Sequence, residues 1–222
     1  MLGRPMLDSA VQRANMVATQ LLTNDVTDAR VRNAMLVIPR ERFVPEAAKP
    51  LAYMERCITL KNSRVMLDAR SFGKLLQLAT ILPDDVVLDL GCGTGYSSAV
   101  LSLIAGRVIA LEEDAELASV AEQNLRALGT MNTEVVRGPL VHGWREAAPF
   151  DVIVINGGIE EEPAGLVKQL KSGGRLVTIW RDGAAGHARL YINDEGAVGN
   201  RSAFDAQVPV LPGFQKRPSF VF

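Results

Sequence analysis

Three glycines at alternate positions, directly after a short apolar run, restrict the possible folds of this chain more than any other feature. The segment reads Val87-Leu88-Asp89-Leu90-Gly91-Cys92-Gly93-Thr94-Gly95-Tyr96. A strand runs into the glycines and a helix follows. Glycine lets the chain turn sharply there and lets a ligand reach bare backbone. Further apolar runs follow at 107–111, 133–136, 150–155 and 175–180, with helical patterns between them. Asp114 caps one helix, with Leu117, Val120, Ala121, Leu125 and Leu128 inward and Gly129 as its stop. Pro163 opens another, running to Leu170. Strands alternating with helices imply right-handed βαβ units and a parallel sheet covered on both faces. The tail differs. Residues 188–192 and 206–210 are strand-like, Asn193-Asp194-Glu195-Gly196 is turn chemistry, and no helical pattern intervenes. This predicts an antiparallel pair at one sheet edge.

Upstream of the glycines the chain reads as helical. Val11, Ala14, Ala18 and Leu21 share one helix face, and Asp28 precedes the stripe Val31, Ala34, Met35, Ile38. Pro39 ends that helix, and 43–50, with two prolines, reads as loop. Ser71 is a plausible cap for a third helix that buries Phe72, Leu75, Leu76 and Ala79. Residues 1–83 therefore form a helical cap and substrate-side segment, and 84–222 a Rossmann-like core, as one structural unit. A chain of 222 residues, 48% hydrophobic and 22% charged, is ordinary globular material. Its 24 basic and 25 acidic residues nearly cancel, so neither duplex nucleic acid nor an anionic membrane is expected as a partner. Polar residues interrupt 1–20, leaving no room for an export signal, and no stretch is apolar enough to span a bilayer. Two cysteines make no disulfide framework and, with two histidines, no metal-ligand spacing, so a cytoplasmic protein without a metal is expected.

The ligand class follows from the glycine spacing. A dinucleotide loop needs a third glycine where this chain has Tyr96 or Ser98, and a phosphate loop needs a Gly-Lys-Ser/Thr that is missing. The spacing found, with Asp89 two residues before the first glycine, is instead the S-adenosylmethionine pattern. About 20 residues on, Leu111-Glu112-Glu113-Asp114 ends the second strand, and Glu112 is placed to accept both ribose hydroxyls. Glu113 and Asp114 read as acids at a helix start.

With these residues in view, the chain resembles the protein-L-isoaspartate O-methyltransferase family. Ile38-Pro39-Arg40-Glu41-Arg42-Phe43-Val44-Pro45, Leu51-Ala52-Tyr53, the glycine loop, Gly143-Trp144, the run 150–154 and the block 169–177 are each similar to family motifs. The resemblance implies a Rossmann-like, class I S-adenosylmethionine-dependent methyltransferase: α/β, mostly parallel, with an antiparallel edge pair and an N-terminal helical cap. It also implies methyl transfer to the carboxylate of damaged aspartyl residues in peptides or proteins, a repair reaction. Cofactor contacts are expected from Asp89, Gly91, Cys92, Gly93, Thr94, Gly95, Tyr96, Glu112, Glu113, Pro139, Leu140 and Asn156. The chemistry needs no general base, because a carboxylate is already a nucleophile and the enzyme mainly aligns it and excludes water.

Two departures from the family pattern stand out. A glycine-rich segment with a Thr-Ile-Ser core is replaced by 60–70, where Val65 and Leu67 take the hydroxyl positions. After the third strand, the family's Gly-Asp-Gly is replaced by Gly138-Pro139-Leu140. They open two alternatives: another methyl acceptor, or a cofactor-binding scaffold without turnover. Catalytic candidates are Asn156 at the end of the fourth strand, Ser63, and Arg64. Arg64 and Arg70 read first as surface charges and otherwise as a bidentate grip on the acceptor. Asp68 and His142 are weaker polar candidates.

Overall fold

The computed structural model describes residues 8–61 and 64–216. It opens with helix α1, Ser9–Met16, which widens into an i→i+5 turn over Val17–Leu21. The inward positions keep ordinary helical spacing, but Gln12, Arg13 and Gln20 among them are polar, so that face carries no apolar stripe. Met16, Val17, Gln20 and Leu21 point inward, while Val11, Ala14 and Ala18 face solvent, so the face predicted for this helix is corrected. Helix α2, Ala29–Val37, has Asp28 as its cap and buries Val31, Ala34 and Met35, as its stripe predicts. A 3₁₀ turn, Arg40–Phe43, leads into the stretch expected as loop, which itself holds a second, Glu46–Leu51. A short antiparallel pair follows, β1 (Ile58–Lys61) with β2 (Arg64–Met66). Helix α3, Ala69–Ala79, is capped by Asp68, whose carboxylate accepts from the Ser71 amide at 2.8 Å, so Ser71 is not the cap. Its buried face is the predicted one, Phe72, Leu75, Leu76 and Ala79.

The rest alternates. Strand β3 is Val86–Leu90, helix α4 Tyr96–Ser102, strand β4 Arg107–Glu112, helix α5 Ala115–Ala127 and strand β5 Thr133–Arg137. Strand β6, Phe150–Ile159, precedes a single helical turn, α6, Ala164–Val167. Strands β7 (Leu170–Asp182), β8 (Ala185–Asp194) and β9 (Ala197–Asp205) complete the chain's main elements. The helix predicted to reach Leu170 stops early, because Leu170 pairs with Phe150 at the start of β7.

Seven strands form one sheet in the order β5-β4-β3-β6-β7-β8-β9. Neighbours from β5 to β7 are parallel, and β7-β8-β9 is antiparallel. The antiparallel edge was expected, but its last strand was misplaced. The turn at 193–196 leads straight into β9, which is exposed almost throughout and so carries no apolar alternation to read. The apolar residues assigned to that strand leave the sheet: Ala206 and Val208 pack on the core, and Val210 forms a parallel bridge to Gly158.

One continuous hydrophobic cluster runs from Met16 and Leu21 in the cap, through Leu75 and Leu76, to Val87, Val152 and Val177 in the sheet. The cap is thus fused to one face of the sheet. Leu76 lies fully buried in this cluster. Leu76→Ala is expected to cost about 2–5 kcal/mol, from lost transfer energy plus an incompletely collapsed cavity. Urea denaturation should show this as a fall in midpoint at unchanged slope. Among the described residues no helix is long and apolar enough to cross a membrane.

Candidate functional site

Strand order reverses beside β3, which has β4 on one side and β6 on the other. In such sheets the crevice beyond the carboxyl ends of these strands is where ligands bind. The glycine loop fills the floor of that crevice. The amides of Gly91 and Cys92 both donate to the Leu111 carbonyl, at 2.9 and 3.2 Å, and fasten the loop to the end of β4. Gly91, Gly93 and Gly95 have φ of +75, +57 and +93°, which glycine alone adopts without strain.

The three glycines serve different ends. A Cβ on Gly91 would stand 3.7 Å from both Leu140 Cδ1 and Arg64 Nη1, and one on Gly93 would meet Leu60 Cδ1 at 2.7 Å. Those two face the crevice. A Cβ on Gly95 would instead sit 3.2 Å from the Cα and Cβ of Ala121 in α5. Gly95 therefore permits a close helix contact.

Asp89, at the end of β3, is fully buried and already has three donors. Its carboxylate accepts from Ser97 Oγ at 2.7 Å, Ser98 Oγ at 2.6 Å and Asn156 Nδ2 at 2.6 Å. Burial pushes its carboxyl above the usual range, against the lowering effect of those three bonds. Asp89 thereby ties β3 to α4 and β6, and holds Asn156 in place. Asn156 Nδ2 also reaches the Leu90 carbonyl at 3.3 Å. Asn156 lines a small enclosed cavity with Val65, Leu67, Cys92, Tyr96 and Ser97. Burial raises the Cys92 thiol well above its ordinary range, with the Asp89 and Glu112 charges acting in the same direction, which disfavours the thiolate.

Glu112 ends β4 with no exposed surface. Its Oε2 accepts from the Gly93 amide at 2.9 Å. Its Oε1 accepts from the Glu113 and Asp114 amides at 2.9 and 3.0 Å, and from Arg64 Nη2 at 2.6 Å. Arg64 is itself only 3% exposed, so its reading as a surface charge is overturned: β2 points it inward onto Glu112. Arg70 faces away from the crevice, donating to Asn24 Oδ1 at 3.1 Å and to the Asp205 carbonyl at 3.5 Å. Ser63 lies outside the described residues. Glu113 and Pro139 are exposed at the rim, Leu140 is buried beside Gly91, and His142 is exposed.

Thr94 and Tyr96 face the cap. Thr94 Oγ1 donates to the Phe43 carbonyl at 2.5 Å. The Tyr96 ring packs edge-on to Phe43 and tilted against Phe72. Arg40, from the Ile38-Pro39-Arg40 block, stacks 4.9 Å above that ring. It also donates to the Ala52 carbonyl at 2.8 Å and to the Leu67 carbonyl. The sequence reading missed Arg40 as the bolt between cap and core. It also missed Ser97 and Ser98 as partners of Asp89; the signal was a Ser-Ser pair in the first turn of the helix after the glycines.

A model of the family described as protein-L-isoaspartate(D-aspartate) O-methyltransferase matches residues 12–193. A protein-L-isoaspartate O-methyltransferase of Koribacter versatilis is 39% identical over 168 residues, 76% of each chain. One from Synechococcus sp. is 35% identical over 210 residues, 91% of this chain and 86% of the other. Among solved structures, a protein-L-isoaspartate O-methyltransferase superposes with a TM-score of 0.78 at 23% identity, over 90% of this chain and 66% of that one. A putative protein-L-isoaspartate O-methyltransferase from Plasmodium falciparum, in complex with S-adenosyl-L-homocysteine, gives 0.76 at 18% identity, over 90% of this chain and 97% of that one. At these identities the two superpositions speak to the fold.

Proposed function

The chain belongs to the protein-L-isoaspartate(D-aspartate) O-methyltransferase family, and from that premise we propose that it moves a methyl group from S-adenosylmethionine to the carboxylate of an isoaspartyl residue in a peptide or protein. The observation that carries this reading is the buried Glu112 carboxylate at the end of β4, against the bare backbone of Gly91 and Gly93. The residues present suit the cofactor. Glu112 has a carboxylate oxygen that accepts from a side-chain N–H of Arg64 and could accept from a ribose hydroxyl, and a Cβ at Gly93 would crowd Leu60, which covers the bare backbone there. Gly91, Cys92, Gly93, Glu112 and Leu140 are the contacts we assign, with Glu113 and Pro139 at the rim. Asp89, Thr94, Gly95 and Tyr96 hold the frame around them.

When bound, the cofactor supplies a methyl on a sulfonium, which is a good leaving group. The chain's own task is alignment and exclusion of water. Asn156, held by Asp89, is placed to orient the acceptor. Leu60, Val65 and Leu67 give the crevice an apolar cover. Val65 and Leu67 exclude water there but donate no hydrogen bond, so acceptor recognition falls to backbone groups and Asn156. We assign 1–83 to the acceptor side and 84–222 to the cofactor side. The relatives' names favour the isoaspartyl acceptor over both alternatives opened by the sequence. The two free thiols, Cys57 and Cys92, suit a reducing compartment such as the cytoplasm.

The test is a short peptide carrying one isoaspartyl residue, incubated with methyl-labelled donor beside the same peptide with ordinary aspartate. Labelled methanol released by mild alkali from the first peptide only is the expected result. Absence of alkali-labile label at saturating donor would reject the reading.

A further inference from the structure

Arg64 holds the carboxylate that the proposed cofactor needs. Its Nη2 lies 2.6 Å from Glu112 Oε1, and both side chains are almost fully buried. Its Nη1 is buried with no hydrogen-bond partner and lies over Gly91, 3.7 Å from where a Cβ would stand. The guanidinium thus covers the stretch between the glycine loop and the acid, where a ribose would lie. On the neighbouring strand, Leu60 rests on Gly93, and Lys61 pairs with Glu116 and, at 3.7 Å, with Asp114.

We propose that Arg64 is a built-in competitor of the cofactor, occupying Glu112 in the free protein, so that binding is an exchange of guanidinium for ribose hydroxyls. The argument rests on the cofactor reading above. Four N–H groups already converge on the Glu112 carboxylate, three from backbone and one from Arg64. The backbone donors are fixed by the loop and the start of α5. Among the described residues Arg64 is the one donor on a side chain, so it is the one that can leave. Because this charge-assisted hydrogen bond must break first, only the fraction of protein with Arg64 displaced is ready to bind, and apparent affinity is reduced in proportion to that fraction. The exchange also suits the partnerless Nη1: the guanidinium is incompletely satisfied where it sits, and departure restores its hydration.

The experiment is calorimetric titration of S-adenosylhomocysteine into the wild type, Arg64→Gln and Arg64→Lys, with thermal melts of each with and without ligand. Arg64→Gln is expected to bind about 10-fold tighter or more, with Arg64→Lys between it and the wild type. The free Arg64→Gln protein should melt lower than the wild type and gain more from saturating ligand. Equal or weaker binding by Arg64→Gln would overturn the proposal and make Arg64 a cofactor contact or a bystander. If no variant binds, wild type included, the cofactor reading itself fails. Should Arg64→Gln not fold, Arg64→Lys decides alone by the same direction of change.

Discussion

Glu112→Ala is expected to destabilise the fold by about 3–5 kcal/mol, because it breaks a buried ion pair and removes the acceptor of three amides. Arg64 loses its carboxylate, and the amides of Gly93, Glu113 and Asp114 lose their acceptor. The same substitution is expected to weaken S-adenosylhomocysteine binding by about 10- to 100-fold. Ribose hydroxyls on a carboxylate are charge-assisted and contribute about 1.5–3 kcal/mol each, while removal of Glu112 also releases Arg64 and returns part of that loss. Urea denaturation and calorimetry measure the two effects separately. Wild-type affinity in Glu112→Ala would show that the ligand never touches this acid.

Gly95→Val is expected to cost about 2–5 kcal/mol. A branched side chain at φ +93° is strained, and its Cβ would press on Ala121 at 3.2 Å. Gly129 provides the control. It has φ +70° and open space around its Cβ position, so Gly129→Val should show the backbone strain alone, about 1–2 kcal/mol. Chemical denaturation of both variants isolates the packing contribution at Gly95. Equal costs would mean that α4 and α5 are not in tight register at this glycine.

The elements that the sequence made legible share a physical cause. Strands β3, β4 and β6 are buried on both faces, so their apolar runs stand out from their neighbours. Helices α2 and α5 have Asp28 and Asp114 as caps and one wet face each, so their periodicity survives, although Val120, expected inward on α5, is exposed. The misreadings occurred where those conditions fail. The inward face of α1 and the turn after it carries Gln12, Arg13 and Gln20, so it has no apolar stripe to read. Strand β9 has no buried face to mark it. At α3, Asp68 outcompetes Ser71 because its carboxylate reaches back to the Ser71 amide.

At the site, the spacing of Asp89, the glycines and Glu112 was enough to name the cofactor class and the side of the sheet on which it belongs. Chain-local chemistry determines these features, since a bare turn and an acid at a strand end are written in consecutive residues. Partnership across long separations was invisible. Arg64 meets Glu112 across 48 positions, and Asn156 meets Asp89 across 67. An arginine reads the same in sequence whether it is solvated or buried against a carboxylate. Only the folding of β2 over the glycine loop takes Arg64 out of water and makes its choice of partner matter.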